Sequence, residues 1–249
     1  MVEWQKEFKV GKYTFTLMEI RDLLISILVL GFIFSAVLPN FQVEQGTPLV
    51  NFALAVFIVG PALLFHELAH KITAQKFGCK AAYVLWPMGV MISILLTVIT
   101  AGRIIFAALG AVMISTAYST RLGYRFIGLS MEEMGKIALA GPLVNIAIAV
   151  FSYAFIWISP QIVQTMITIN LIVALFNTIP FPPLDGSKIF GWSKTGWFGL
   201  LASAIILLYM PSIIGIVFSV ILAIAVLAIT FIVIQLRAPA SLTSVFRMP

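Results

Sequence analysis

From Asn51 to Phe65 the chain reads NFALAVFIVGPALLF, without one charged residue, and then runs directly into His66-Glu67-Leu68-Ala69-His70. These five residues hold both histidines of the protein. On a helix, residues four apart are turned by only about 40° relative to each other, so the two rings share a face. The surroundings decide what kind of helix this is. The chain is 61% hydrophobic and 10% charged, with a mean hydropathy of +1.11. Soluble domains carry about 25% charged residues. The expectation is an all-α polytopic membrane protein, one integral-membrane domain over residues 1–249 with no separate soluble domain.

Apolar runs predict about six transmembrane helices, at Leu23–Leu38, Asn51–Lys71, Ile137–Ile158, Ile162–Ile179, Trp197–Met210 and Ser212–Leu236. Pro211 is read as a turn between the last two, because together they exceed one bilayer. Lys6, Lys9, Lys12 and Arg21 precede the first run, while residues 39–50 contain Glu44 and no basic residue. Lys71, Lys76, Lys80, Arg121, Arg125, Lys136, Lys188, Lys194, Arg237 and Arg247 then fall on the side of the N-terminus if there are six crossings. The positive-inside rule makes that side cytoplasmic. Both termini are thus expected in the cytoplasm, with the histidines toward the cytoplasmic end of span two. The net charge of +6 is assigned to this asymmetry and not to nucleic acid. A mixed-charge N-terminus without a short apolar core predicts no cleavable signal.

Residues 83–118 are ambiguous. Two apolar pieces, Tyr83–Thr100 and Ile104–Tyr118, flank Gly102-Arg103. A transmembrane hairpin puts Arg103 on the basic-poor side. A membrane-associated strand or re-entrant segment keeps it near the cytoplasmic face, and the charge argument leans that way. The Val, Ile, Thr and Gly content permits strands.

Two histidines at i and i+4 with an intervening Glu form the HExxH pattern of zinc hydrolases. Zinc takes nitrogen and oxygen ligands in a tetrahedron, and a catalytic site keeps one position for water. His66 and His70 supply two ligands. Asp185 is the choice for the third, because Pro180, Pro182 and Pro183 break the preceding helix and Gly186 allows a turn back toward the histidines. Glu67 is the candidate general base, acting on one catalytic Zn2+. Asn177 offers an amide to an extended substrate backbone. Plainer readings stand beside these. Asp185-Gly186 is also a common turn dipeptide, Asn177 and Asn145 are also suited to bonding between helices, and four-ligand structural zinc is an alternative to a catalytic ion. Glu132 and Glu133 read as a solvated loop or helix start, and Cys79 as inert.

The segments Phe65–Gly78 (FHELAHKITAQKFG), Ala140–Asn145 (AGPLVN) and Phe176–Gly186 (FNTIPFPPLDG) resemble the site-2 protease family of intramembrane zinc metalloproteases. The resemblance implies zinc held by His66, His70 and Asp185, water activation by Glu67, and substrate positioning by Asn177; Asn145 is a further candidate for substrate contact. It implies a membrane-anchored protein substrate, cut within or beside a transmembrane segment, commonly after a first protease has trimmed it. Residues 83–118 stand where the family carries a membrane-associated sheet or re-entrant strand. A minimal form without PDZ or CBS domains is expected. Two rivals remain: a membrane-embedded zincin using Glu132 or Glu133 as third ligand and cleaving exposed segments, and a zinc or proton transporter lined by the embedded polar residues.

Overall fold

The computed structural model describes residues 7–36, 46–120 and 123–209, with six isolated positions between 217 and 229. It opens on an antiparallel hairpin, β1 (Glu7–Val10) and β2 (Tyr13–Thr16), turning at Gly11-Lys12 where Gly11 has φ +60°. Thr16 then caps α1 (Leu17–Ser35) in a reciprocal capping box with Glu19. The helix α2 (Pro48–Lys76) starts with Thr47 as cap and Pro48 in its first turn, where a missing N–H costs nothing. After Gly78 (φ +82°) follow β3 (Lys80–Leu85), α3 (Pro87–Ile99), β4 (Gly110–Ser115), β5 (Ala117–Thr120) and β6 (Gly123–Phe126). The strands pair antiparallel as β3–β4 and β5–β6. Then come α4 (Met131–Ser152), capped by Ser130, a short 3-10 turn, α5 (Pro160–Thr178), α6 (Asp185–Trp192) and α7 (Lys194–Tyr209).

Helix α4 is the hub, packed against α2, α5 and α6, while α1 lies along α2. One apolar core joins α1, α2 and α5 through Ile33, Ile58, Ala62 and Ile169. A second joins α4 to α5, α6 and α7 through Ala149, Leu171, Ile189 and Ala204. The site described below lies between these clusters.

Several expectations are corrected. Among the described residues, three helices rather than six are long and apolar enough to cross a membrane: α2, α4 with its 3-10 extension, and α5. Three such helices are the mark of a membrane protein. The first run begins at Leu17 rather than Leu23, so α1 contains Glu19, Arg21 and Asp22 and is no longer uniformly apolar. The described part of α7 runs over 16 residues and ends where the described residues end, at Tyr209. The run Ser212–Leu236 and the turn assigned to Pro211 lie outside the described residues. The protein is also not all-α, since strands form three hairpin-like pairs.

Residues 83–118 form neither a helical hairpin nor a simple extended piece. The 13 residues of α3 span about 20 Å, short of the about 30 Å of a hydrocarbon core. The chain comes back without a second helix, and Leu85 pairs with Gly110. The segment therefore leaves and re-enters at the same place. A Cβ at Gly110 would overlap the Tyr83 hydroxyl and the Val84 carbonyl, so glycine is what lets β4 close onto β3.

Candidate metal centre

His66 and His70 project from one face of α2, both buried, with their rings edge to face at 4.6 Å between centroids. Neither ring is free to spin. His66 Nδ1 lies 2.6 Å from Asn145 Oδ1, and His70 Nδ1 lies 2.7 Å from the Ile137 carbonyl, both partners on α4. A ring nitrogen facing a carbonyl oxygen donates its hydrogen, so each Nδ1 carries the proton and each Nε2 presents a lone pair. This is the outer-shell arrangement that orients metal-binding histidines.

The close approach of α4 depends on Gly141. A Cβ there would collide with both imidazoles.

Asp185 arrives from the other side. Pro180 to Leu184 break the helical course after α5, and Asp185 opens α6. Gly186 lets that new helix press against the end of α5, since a Cβ would overlap the Thr178 and Ile179 backbone. Asp185 Oδ2 then sits 3.4 Å from His66 Nε2 and 3.0 Å from His70 Nε2, while the two Nε2 atoms are 3.0 Å apart. Zinc bonds of 2.0–2.1 Å in a tetrahedron need ligand-to-ligand edges of about 3.3 Å. The triangle of two nitrogens and one carboxylate oxygen fits that requirement. Among the described residues this is the group of His, Cys, Asp and Glu side chains able to hold a metal ion.

A protein of Methanocaldococcus jannaschii that bears the name "putative zinc metalloprotease" is 36% identical to the chain over 191 residues. The match covers 74% of this chain and 90% of that protein. The chain belongs to this zinc metalloprotease family. No family model and no solved structure matches it.

For a metalloprotease the next group of interest is a carboxylate beside the metal. Glu67 is buried next to the ligand set, adjacent to His66 on α2 and beside the Val112 backbone of β4. The strand pair β3–β4 thus packs along the stretch of α2 that carries this residue. Lys188, one turn along α6, places Nζ 3.9 Å from Asp185 Oδ1 and is substantially exposed.

The other residues singled out from the sequence are placed as follows. Asn145 is wholly buried and its amide is occupied on all sides, so the structure sets it behind His66. Asn177 is half-buried near the end of α5, with its amide nitrogen bonded to the Val173 carbonyl of its own helix. Glu132 and Glu133 lie at the start of α4, away from the histidines. The first pairs with Lys136 at 2.6 Å and the second closes the capping box with Ser130. Burial, with Glu133 nearby, pushes the Cys79 thiol up, which keeps it protonated and unreactive.

Two buried groups escape the sequence reading. Asn170 on α5 accepts from Asn145 Nδ2 at 3.0 Å. Glu19 on α1 pairs at 2.5 Å with Lys71, which is buried within α2 and not at the end of the span, where the charge count sets it. A capping-box pattern, Thr16 with Glu19, was the available signal for the helix start that carries Glu19. Asn170 has no local pattern around it.

Proposed function

We propose that the protein is a zinc-dependent intramembrane endopeptidase of the site-2 protease type, hydrolysing peptide bonds within or next to transmembrane segments of membrane-anchored proteins. The observation that carries the reading is the convergence of His66 Nε2, His70 Nε2 and Asp185 Oδ2, with both Nδ1 atoms already bound to α4. His66, His70 and Asp185 hold one zinc ion, which when bound supplies Lewis acidity toward water and the scissile carbonyl. Glu67 takes the proton from the attacking water and delivers it to the leaving amine. Its place on α2, buried and adjacent to His66, holds the carboxylate beside the ligands.

The chain works as one membrane domain with both termini and the site toward the cytoplasm. Burial of the site among α2, α4 and α6 excludes bulk water from the ligand set, so water reaches it through a restricted opening on that side. A substrate helix unwinds locally before cleavage, because its amides are otherwise paired internally. Asn177, exposed in part beside the Pro-rich break, is placed to meet the unwound backbone. Asn145 acts through His66 rather than on the substrate.

The test uses purified protein with single-span membrane substrates, with and without a zinc chelator, beside Glu67→Gln. The expected result is chelator-sensitive cleavage that falls by about 10²–10⁴-fold in Glu67→Gln while zinc content stays stoichiometric. Normal cleavage by that variant would sink the assignment. Zinc flux across vesicles without peptidase activity would favour a transporter instead.

A further inference from the structure

Behind His66 lies a short series of amides. Asn145 and Asn170 are both 0% exposed, at the meeting of α2, α4 and α5. Asn145 Nδ2 donates to the Ala62 carbonyl on α2 at 3.0 Å and to Asn170 Oδ1 at 3.0 Å. Asn170 Nδ2 donates to the Met166 carbonyl at 2.9 Å.

Backbone carbonyls only accept, so each of these contacts fixes which end of an amide faces which way. Met166 requires the nitrogen of Asn170, which turns the Asn170 oxygen to Asn145. Ala62 and Asn170 then take both hydrogens of Asn145, which leaves its oxygen facing His66. That oxygen holds the proton on Nδ1 and the lone pair on Nε2, the form a metal ligand needs.

Packing alone does not explain Asn170. Its chain neighbours Ile169 and Leu171 are fully buried apolar residues, and burying an amide among such side chains carries a desolvation cost that leucine, of similar size, avoids.

We propose that Asn170 is a positioning residue of the metal centre, acting two hydrogen bonds away to lock the Asn145 amide and through it the tautomer of His66. This rests on reading the His-His-Asp cluster as a zinc site.

The experiment measures zinc affinity by competition with a chromogenic chelator for the full-length protein and for Asn170→Leu, Asn170→Asp, Asn145→Leu and the Asn145→Leu/Asn170→Leu double variant. Asn170→Leu is expected to bind zinc about ten-fold more weakly, at the low end of the effect of outer-shell partners. Asn170→Asp stays near wild type, since a protonated carboxyl offers one donor to Met166 and one acceptor to Asn145. In the Asn145→Leu background, adding Asn170→Leu changes nothing further, because the connection to His66 is already cut.

Unchanged affinity in Asn170→Leu overturns the proposal, as does an additive loss in the double variant. Equal losses in the Leu and Asp variants overturn it too, since the effect then follows packing and not hydrogen-bond direction. If the wild-type protein binds no zinc, the metalloprotease reading itself fails and this inference goes with it.

Discussion

Two buried polar clusters sit one residue apart on α2, and they are completed in different ways. Lys71 turns toward α1, where its Nζ meets Glu19 at 2.5 Å and the Ala81 carbonyl at 2.9 Å, with the Phe15 ring 4.6 Å away. One cation and one anion neutralise each other, and the pair is sealed at 1% exposure on both sides. His66 and His70 turn toward α4 and α6, where they meet the Asp185 carboxylate, whose other oxygen lies 3.9 Å from Lys188 Nζ. That cluster is made of electron-pair donors. The first cluster balances its own charge within the protein, whereas the second presents a donor set of the kind a divalent cation would complete, and this difference separates a structural ion pair from a candidate chemical site.

The comparison is broken most severely at Asp185. Replacing it with Ala should abolish stoichiometric zinc and with it all cleavage, because two imidazoles alone leave the tetrahedron short of a ligand. Metal analysis of the purified variant checks this, and full zinc occupancy would detach Asp185 from the site. The matching operation on the other cluster behaves in the opposite sense. Lys71→Met leaves the Glu19 carboxylate buried without its cation and is expected to cost about 3–5 kcal/mol. Adding Glu19→Leu removes the stranded charge and should restore most of that stability, which a denaturation series reads directly. Zinc stoichiometry stays intact in the double variant. If the double variant is as unstable as Lys71→Met alone, the pair is not the self-contained unit described here.

The two clusters also differ in how far the sequence disclosed them. HExxH is local in sequence, so helical geometry alone places both rings together. Asp185 lies far along the chain, but the prolines and Gly186 mark a broken helix that a turn can redirect. The Glu19–Lys71 pair has no such signal. Apolar runs define spans by where charges stop, which sets the start of the first helix at Leu23 and puts Lys71 at the very end of the second span. The same habit hid the β1–β2 hairpin, although the alternation of Glu7-Phe8-Lys9-Val10 and Tyr13-Thr14-Phe15-Thr16 about Gly11 has the period of strands. It also hid α6, whose eight residues follow three prolines. Asn145 is suited by its sequence setting to bonding across a helix contact or to touching substrate, and in the structure it bonds across the contact of α4 with α2 and α5. Among the described residues fewer helices are apolar enough to cross than the runs suggest, because α1 takes in Glu19, Arg21 and Asp22 ahead of its apolar run.

The smallest expected effect tests the comparison from outside both clusters. Glu132 and Glu133 stand at the exposed start of α4, bound to Lys136 and Ser130. Exposed pairs at i and i+4 contribute little, and many contribute nothing measurable. Gln at position 133 still closes a capping box. Glu132→Gln with Glu133→Gln should therefore leave zinc content, cleavage and unfolding midpoint indistinguishable from wild type. A loss of zinc in this variant would move the third ligand from α6 to α4, and would make the protein a zincin of a different build. The distances argue against that outcome. To reach the histidines, either carboxylate would have to abandon its helix-start partners, and Gly141 holds α4 against the rings about two turns farther along the helix.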